Sequence, residues 1–328
     1  MPENHSFWIF RGRDARTPEQ LTLPPAAADS RWEDPSQYVA GEGIRHAVNV
    51  AIALARPLLV TGEAGSGKTQ LAYRMAYELT PEMPAPLRFQ TKARAEASDL
   101  FYRYDAMRHF QDVHVNQNRS ATARDFIRME AMGIAILRAS ADRVHANSYL
   151  NEEWRVPAPV RSVVLIDEID KAPRDLPNDL LSEMEHMFFE IKETGERFAA
   201  DPRFRPVVLM TSNSERDLPD AFLRRCVYYH IPPPSRDTLR EIVQKRAQPS
   251  AAFSPEMMEH ALNKYEEVRQ RATKKKPSPD ELIAWVRVLD RLHIDPANLK
   301  PGERETLAFT YSILVKDAGD LEALTKNP

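Results

Sequence analysis

A glycine-rich segment at 62–69, GEAGSGKT, has the residue types and the spacing of a phosphate-binding loop. Small residues let the main chain curl until several N–H groups point at phosphate oxygens, and the start of a following helix adds partial positive charge. In this pattern Lys68 reaches the β- and γ-phosphates of a nucleotide, and the Thr69 hydroxyl ligates Mg²⁺. The sequence therefore predicts a nucleotide site formed by Gly62, Glu63, Ala64, Gly65, Ser66, Gly67, Lys68, Thr69 and Gln70.

Two adjacent acids, Asp167 and Glu168, follow the apolar run of VVLIDEID. Carboxylates at the end of a buried strand emerge at the carboxyl edge of a parallel sheet, where ligands bind. Asp167 is predicted to be a carboxylate ligand of Mg²⁺, and Glu168 a general base that polarises an attacking water. Such a base favours hydrolysis over transfer to a second substrate, for which the sequence offers no pocket.

Further polar residues stand downstream of the acid pair. Asn213 ends VVLMTSN, where a neutral amide would orient the lytic water or contact the γ-phosphate. Arg224 and Arg225 follow a short helical run in LPDAFLRRC. An arginine supplied by a neighbouring copy is worth about 10³- to 10⁵-fold in rate in phosphoryl transfer. Catalysis would then depend on assembly.

These residues need a sheet to hold them, and five short apolar runs predict its strands. Because helical patterns separate the runs, the predicted fold class is α/β, with a parallel sheet covered by helices. The turn-like ETGE at 193–196 predicts a β-hairpin, and the charged stretch that ends near Asn151 has helical spacing. The predicted strands are RPLLVT before the glycine loop and the segments 87–91, 162–168, 206–213 and 227–231.

Changes in pattern along the chain predict three regions. Residues 1–37 are rich in proline and polar residues and are predicted to be an irregular arm. Residues 38–233 carry the alternating strands and helices and are predicted to be the nucleotide-binding core. The prolines around Pro233 end regular structure. Residues 234–328 show about four helical patterns and are predicted to be a small helical lid domain.

Composition excludes several classes of protein. The 328 residues contain 42% hydrophobic and 28% charged residues, as in ordinary globular proteins, and the formal charge is −3. A dedicated nucleic-acid binder usually has a basic field, so nucleic acid is not expected as the partner. The single cysteine, Cys226, cannot pair within the chain, and no zinc-type spacing is present. Without a signal-like segment or a long apolar run, we expect a cytoplasmic protein with no membrane insertion.

The chain resembles an AAA+ ATPase, and more closely the MoxR-like group, from about Tyr38 to the C-terminal helices. The resemblance rests on VTGEAGSGKTQLA, VVLIDEIDKAP, NDLLSEME, FFEIKETGERF and TSNSERDLPDAFLRRC. It implies ATP and Mg²⁺ as cofactors, and a ring-shaped, usually hexameric homo-oligomer. It also implies a protein client that is remodelled or gated, commonly one with a von Willebrand factor A domain.

The resemblance also implies roles for particular residues. Asn213 corresponds to the sensor 1 residue, and Arg225 is the first candidate for the arginine finger, with Arg224 second. Tyr38 and Val39 resemble the segment that lines the adenine pocket. The helix-2 insert of the family falls near residues 92–110.

The sequence departs from the MoxR-like pattern at two places. DEIDK replaces the common DEINR, which places Asp170 and Lys171 at positions that would contact a neighbouring subunit. In the lid, KPSPDELIAW has Asp280 where the family often carries a sensor 2 arginine. That role is either missing or taken by Lys275, Lys276 or Arg287.

The sequence is compatible with two other functions. The altered sensor 2 position is compatible with a slow ATP-gated switch or scaffold, for instance in an anti-phage system. A nucleic-acid-directed AAA+ module, such as a restriction-linked GTPase or a helicase loader, is the second alternative. GTP preference lacks its usual N-K-x-D signature, because NKYE at 263–266 has glutamate in the last position.

Overall fold

The computed structural model describes residues 34–114, 122–173, 176–213 and 217–326. The remaining part of the predicted arm, residues 1–33, lies outside the described residues. Contacts between Cα atoms divide the chain into two units. The α/β unit comprises residues 40–62 and 67–232, and the helical unit comprises residues 34–39, 63–66 and those from 233 onward.

Nine strands are present among the described residues, and all of them belong to the α/β unit. Five form one sheet and four form two separate two-stranded sheets. In chain order the strands are β1 Leu58–Thr61, β2 Leu87–Gln90, β3 Tyr102–Tyr104, β4 Ile127–Met129, β5 Val163–Asp167, β6 Phe188–Ile191, β7 Glu196–Ala199, β8 Val207–Ser212 and β9 Val227–His230.

The five-stranded sheet has the order β2-β5-β8-β1-β9, and every pair in it is parallel. All residues of β1 and β5 are buried, as are five of the six residues of β8. Strands buried on both faces have continuous apolar sequences, which explains why these runs were readable from sequence. The predicted α/β fold class and its five strands are confirmed.

Helices of the α/β unit pack on this sheet and on the smaller ones. Helix α4 packs on β2 and β5, and all nine of its residues are buried, as expected for a helix that is apolar at every position except Arg138. In chain order the helices are α1 Glu42–Ala53, α2 Lys68–Leu79, α3 Ala106–His114, α4 Ala131–Ala139, α5 Arg143–Ser148, α6 Leu176–Asp179, α7 Leu181–His186 and α8 Asp220–Leu223.

The prediction of a long helical stretch up to Asn151 is wrong in part. Strands β3 and β4 form an antiparallel pair inside it, with Tyr102 opposite Met129 and Tyr104 opposite Ile127. Aromatic or apolar residues flank an arginine in both strands, which is the period-two pattern of a strand. Helical spacing in the flanking segments hid these two short strands. The implied insert at 92–110 contains β3 and the first part of α3.

The predicted hairpin is confirmed in β6 and β7. The two strands pair antiparallel, with Phe189 opposite Phe198. At the turn Gly195 has φ of +72°, a left-handed conformation that glycine adopts without steric cost, and its N–H donates to Ile191 O at 2.8 Å.

Among the described residues, the helical unit contains five α-helices, one more than the sequence predicts. A 3₁₀ turn at Tyr311–Ile313 breaks the last helical pattern in two. Serine N-caps and prolines in the first turn begin α10 and α11, which explains where the predicted helices start. The helices are α9 Arg236–Ala247, α10 Pro255–Arg271, α11 Pro279–Leu292, α12 Glu303–Thr310 and α13 Ala318–Lys326. Their core is centred on Trp285, whose indole N–H donates to Thr310 Oγ1 at 2.8 Å.

Within the described ranges, none of the helices has both the length and the apolar character that crossing a membrane requires.

Candidate functional site

The glycine loop connects the end of β1 to the start of α2. Gly65 and Gly67 have φ of +72° and +86°, conformations that side-chain-bearing residues rarely adopt. Gly67 is the N-cap of α2, so the first helical residues, Lys68 and Thr69, present their N–H groups toward the loop. This is the local backbone arrangement of an anion site at a helix N-terminus.

The side chains of the loop fit a phosphate ligand. Lys68 is buried, and its ammonium donates to Gly62 O at 2.9 Å. The Ser66 hydroxyl is buried and has no hydrogen-bond partner among the described residues. A buried hydroxyl without a partner is costly, and a phosphate oxygen would satisfy it. Glu63 and Ala64 are exposed, and Gln70 is half-buried in the first turn of α2.

Asp167 lies at the carboxyl end of β5 with only 4% of its surface exposed. Its Oδ1 accepts from Thr69 Oγ1 at 3.2 Å and from Thr211 Oγ1 at 2.6 Å. Its Oδ2 accepts from Arg88 Nη2 at 2.7 Å. The structure thus brings together Thr69 and Asp167, the two predicted magnesium ligands.

Glu168 follows directly and has a left-handed backbone, with φ of +59°. Non-glycine residues held in this region cost about 1–3 kcal/mol, and such strain clusters at functional sites. Its carboxylate accepts from Gln90 Nε2 at 2.8 Å, contacts Lys171 Nζ at 2.8 Å and accepts from Asn213 Nδ2 at 3.4 Å. The predicted base and the predicted sensor amide are therefore neighbours.

Asn213 is fixed on its main-chain side by a buried acid. Its N–H donates to Asp170 Oδ2 at 3.2 Å, and Asp170 is 2% exposed. The expectation that Asp170 contacts a neighbouring subunit is therefore wrong, because its side chain is enclosed within the α/β unit. Lys171 is half-buried and pairs with Glu168 of the same chain.

The two candidate arginine fingers lie far from these groups. Arg224 and Arg225 are exposed and directly precede Cys226 and β9. The N–H of Val227 donates to Pro57 O at 2.8 Å, which places this segment beside the beginning of β1. The glycine loop leaves the other end of that four-residue strand, about 13 Å away. The structure does not bring Arg224 or Arg225 to the chain's own phosphate loop.

Cys226 is not a nucleophile in this setting. Burial raises the pKa of its thiol to about 12, so the thiol remains protonated at neutral pH.

The remaining candidates lie in the helical unit. Tyr38 and Val39 are half-buried next to a 3₁₀ turn at Pro35–Gln37 that packs on α9. Among the sensor 2 candidates, Lys275 Nζ lies 3.6 Å from Glu281, and Arg287 donates to Arg246 O.

Lys276, the third sensor 2 candidate, is exposed. Arg269, which was not a candidate, donates to Glu63 Oε2 at 2.8 Å within the same unit.

Sequence reasoning missed three residues that contact the acid pair: Arg88, Gln90 and Thr211. Arg88 and Gln90 are the exposed residues of β2, whose register places Gln90 beside Asp167. Thr211 lies in β8 and bridges the acids, because its hydroxyl donates to Asp167 and accepts from the N–H of Glu168 at 2.9 Å. The polar alternation of LRFQ was the only signal in the sequence.

The donors around Asp167 suit a magnesium–nucleotide complex. Mg²⁺ prefers oxygen ligands and is usually held by one or two carboxylates together with phosphates and water. The Thr69 hydroxyl and the Asp167 carboxylate provide this minimal set. Among the described residues no cluster of three or more His, Cys, Asp or Glu side chains could hold a metal without a nucleotide.

Residues 57–226, just over half of the chain, match the family described as AAA domain (dynein-related subfamily). No curated protein matches the sequence. The structure of NtrX from Brucella abortus in complex with ADP is 15% identical with a TM-score of 0.45, and the match covers 87% of this chain and 56% of that one. A candidate ATPase from Cytophaga hutchinsonii is 14% identical with a TM-score of 0.38, covering 92% of this chain and 90% of that one. This chain thus spans little more than half the length of the NtrX chain.

Proposed function

The chain belongs to the AAA domain family, in its dynein-related subfamily, and from this premise we propose that it hydrolyses ATP with Mg²⁺ at interfaces between copies of itself. The energy would remodel or activate a partner protein. The observation that carries the proposal is the contact between Thr69 and Asp167, which joins the phosphate loop to the acid pair at one edge of the sheet.

The chain's own groups are suited to hydrolysis. Lys68 and the N–H groups at the start of α2 would grip the β- and γ-phosphates. A water oxygen would attack the γ-phosphorus, the bond to the β–γ bridging oxygen would break, and the water proton would pass to the Glu168 carboxylate. Asn213, 3.4 Å from that carboxylate, would hold the water in line. Mg²⁺, held by Thr69 and Asp167, would supply positive charge that offsets the charge on the phosphates.

The position of the arginines supports hydrolysis between copies rather than within one. Arg225 lies at the edge of the sheet opposite to its own phosphate loop, a position that supports a role at the nucleotide of another copy. Its Nε lies 3.6 Å from Glu185 Oε2, its Nη1 donates to Ala221 O at 3.2 Å, and about half of the Arg225 and Glu185 side chains is exposed. Exposed pairs of this kind contribute little energy, so Arg225 is available to a neighbouring copy.

Finer features of the proposal come from the motif resemblance to the MoxR-like group. They are a hexameric ring and a partner that contains a von Willebrand factor A domain. A cytoplasmic location is proposed separately, from the composition of the sequence. The ATP contacts would include Tyr38 and Val39 at the base. The resemblance supports the ring, the partner class and these contacts to the base.

The substitution Glu168→Gln tests the core of the proposal. It removes the base while preserving the shape of the side chain, so nucleotide binding should persist. Steady-state ATP hydrolysis should fall by about 10²- to 10⁴-fold, the usual contribution of a general base. Unchanged turnover with intact binding would show that Glu168 is not the base.

A second candidate function, a slowly hydrolysing ATP-gated switch, is favoured by the contacts of the acid pair. The Glu168 carboxylate contacts Gln90, Lys171 and Asn213, and Arg88 neutralises Asp167. A carboxylate whose oxygens are engaged in this way has no free position for the attacking water until those contacts open. Turnover of less than a few ATP per minute, with or without the partner, would identify a switch, whereas strong stimulation by the partner would identify a motor.

The partner class has its own test. The Glu168→Gln variant should hold ATP without hydrolysing it and keep a client bound. When the immobilised variant is incubated with ATP and a purified von Willebrand factor A domain protein from the same cells, it should retain that protein. Retention in ATP but not in ADP supports the proposal, and equal recovery in both argues against it.

A further inference from the structure

A cavity of about 250 Å³ opens at the amino-terminal edge of the sheet, where Arg225 lies. Three arginines line it: Arg56, Arg205 and Arg225. Glu185 is the one acid in the lining, so the cavity carries a net positive charge. A concave basic surface of this kind fits an anion.

The three guanidinium groups differ in what they contact. Arg205 donates from Nη1 to Glu185 O and from Nη2 to Met184 O, both at 3.0 Å, and so holds the C-terminal carbonyls of α7. Arg225 faces the Glu185 carboxylate. Arg56 is exposed, and its side chain makes no hydrogen bond or ion pair with any described residue. The positive charge of Arg56 lowers the pKa of the Cys226 thiol. Burial raises that pKa by a larger amount. Of the three arginines, Arg56 is the one whose guanidinium donors are all available to a ligand.

The backbone of Arg56 is held firmly. Helix α1 ends in a Schellman motif, in which the Arg56 N–H donates to Ala51 O at 3.0 Å and the Ala55 N–H donates to Ile52 O at 3.1 Å. Ala55 takes the left-handed position of the motif, with φ of +52°. Pro57 follows, and its carbonyl accepts from the N–H of Val227 at 2.8 Å. Arg56 is therefore presented from a rigid corner that is hydrogen-bonded to the segment carrying Arg225.

We propose that Arg56 is a second arginine that acts between copies, contacting the phosphates of the nucleotide bound to a neighbouring copy from the same face as Arg225. This inference rests on the proposed function, since it requires the interface between copies that Arg225 serves. Two guanidinium groups from one basic cavity would hold the terminal phosphoryl group on two sides. A charge-assisted contact of this kind predicts that Arg56→Ala lowers kcat by about 10- to 100-fold. Arg56→Lys, which keeps the charge, should retain more activity than Arg56→Ala.

Mixtures of variants test this placement directly. A Glu168→Gln copy lacks the base but retains Arg56 and Arg225. It can therefore supply both arginines to a neighbouring copy that has the base but lacks one of the arginines itself. Mixing it with Arg225→Ala copies should raise ATP hydrolysis above the sum of the separate variants. Mixing it with Arg56→Ala copies should do the same. Arg304→Ala, an exposed arginine of α12, is the control variant and should hydrolyse ATP at the wild-type rate.

The mixture of Arg56→Ala with Arg225→Ala is the decisive arm. If both arginines act from the same face of one copy, each copy in this mixture presents only one of them to its neighbour. Every interface is then incomplete, and no activity is regained. If Arg56 served the nucleotide of its own copy, mixed interfaces would be complete and activity would return.

Each outcome has one reading. Regained activity in the decisive mixture overturns the proposal. Wild-type turnover of Arg56→Ala overturns it, and so does failure of Glu168→Gln to complement Arg56→Ala while it complements Arg225→Ala. Failure of the Arg225→Ala mixture instead overturns the proposed function, and this inference with it.

Discussion

The hydroxyl of Thr211 donates to Asp167 Oδ1 at 2.6 Å and accepts from the N–H of Glu168 at 2.9 Å. One buried side chain of β8 therefore fixes both the predicted magnesium ligand and the backbone of the predicted base. Because Glu168 has a left-handed backbone, this hydrogen bond helps to hold a conformation that is unfavourable by itself.

Replacing Thr211 with valine should separate this role from packing. Thr211→Val keeps the shape but leaves the Glu168 N–H without its partner, which should cost about 1–3 kcal/mol in the free energy of unfolding. Turnover should fall while ATP still binds, as measured by urea unfolding and by steady-state hydrolysis. Thr211→Ser retains the hydroxyl and should keep most of the turnover. Wild-type turnover in the valine variant would contradict the bridging role.

Arg88 pairs with Asp167, so we expect it to compete with a metal ion for that carboxylate. Its Nη2 lies 2.7 Å from Oδ2, and 47% of its side chain is exposed. Removing this charge with Arg88→Ala should lower the Mg²⁺ concentration that half-saturates binding of a fluorescent ATP analogue by about twofold to fivefold, the range of an exposed ion pair. Arg88→Lys keeps the charge and serves as control. An unchanged or higher Mg²⁺ requirement in the alanine variant would count against this competition.

Ala55 should be replaceable by glycine with a gain in stability. An L-residue in the left-handed region costs about 1–2 kcal/mol, which exceeds the entropy cost of glycine, about 0.5–1 kcal/mol. Ala55→Gly should therefore raise the free energy of unfolding by up to about 1 kcal/mol in a urea titration. Ala53→Gly, two residues earlier in the last turn of α1, should instead lower it by about 0.5–1 kcal/mol. Destabilisation by both substitutions would contradict the φ of +52° at Ala55.

The helical unit should lose stability in acid through Glu259. Hydrogen bonds from Arg240 and Arg236 lower the pKa of this carboxyl to about 2, well below its ordinary value. Because the pKa is lower in the folded state, the stabilisation is complete above the ordinary pKa and is lost as the pH falls toward 2. The difference in unfolding free energy between wild type and Glu259→Gln should therefore shrink from pH 6 to pH 3. A difference that is constant over this range would refute the pairing.

The sheet was predictable because its strands are buried on both faces. Strands β1 and β5 are apolar at almost every position, and one leads into the glycine loop while the other ends at the acid pair. Strands β3 and β4 were missed because each is three residues long and lies between helical patterns. These strands pair residues that are 25 positions apart in the sequence, such as Arg103 and Arg128. Local periodicity carries no information about pairing over that separation.

The candidate site divides in the same way. Local motifs of adjacent residues identify four members of the site: Lys68, Thr69, Asp167 and Glu168. Arg88, Gln90 and Thr211 reach the acid pair only because β2, β5 and β8 are neighbours in the sheet. Strand order and register decide those contacts, so residue types alone do not reveal them.

Hydrolysis between copies has a direct test in the specific ATPase activity measured over a range of protein concentrations. If a neighbouring copy supplies Arg225, turnover per chain should be very low in dilute solution and rise steeply as copies assemble. Arg225→Ala should remain low at every concentration, by about 10³-fold or more. Turnover per chain that is the same at all concentrations, in wild type and in Arg225→Ala alike, would contradict the account.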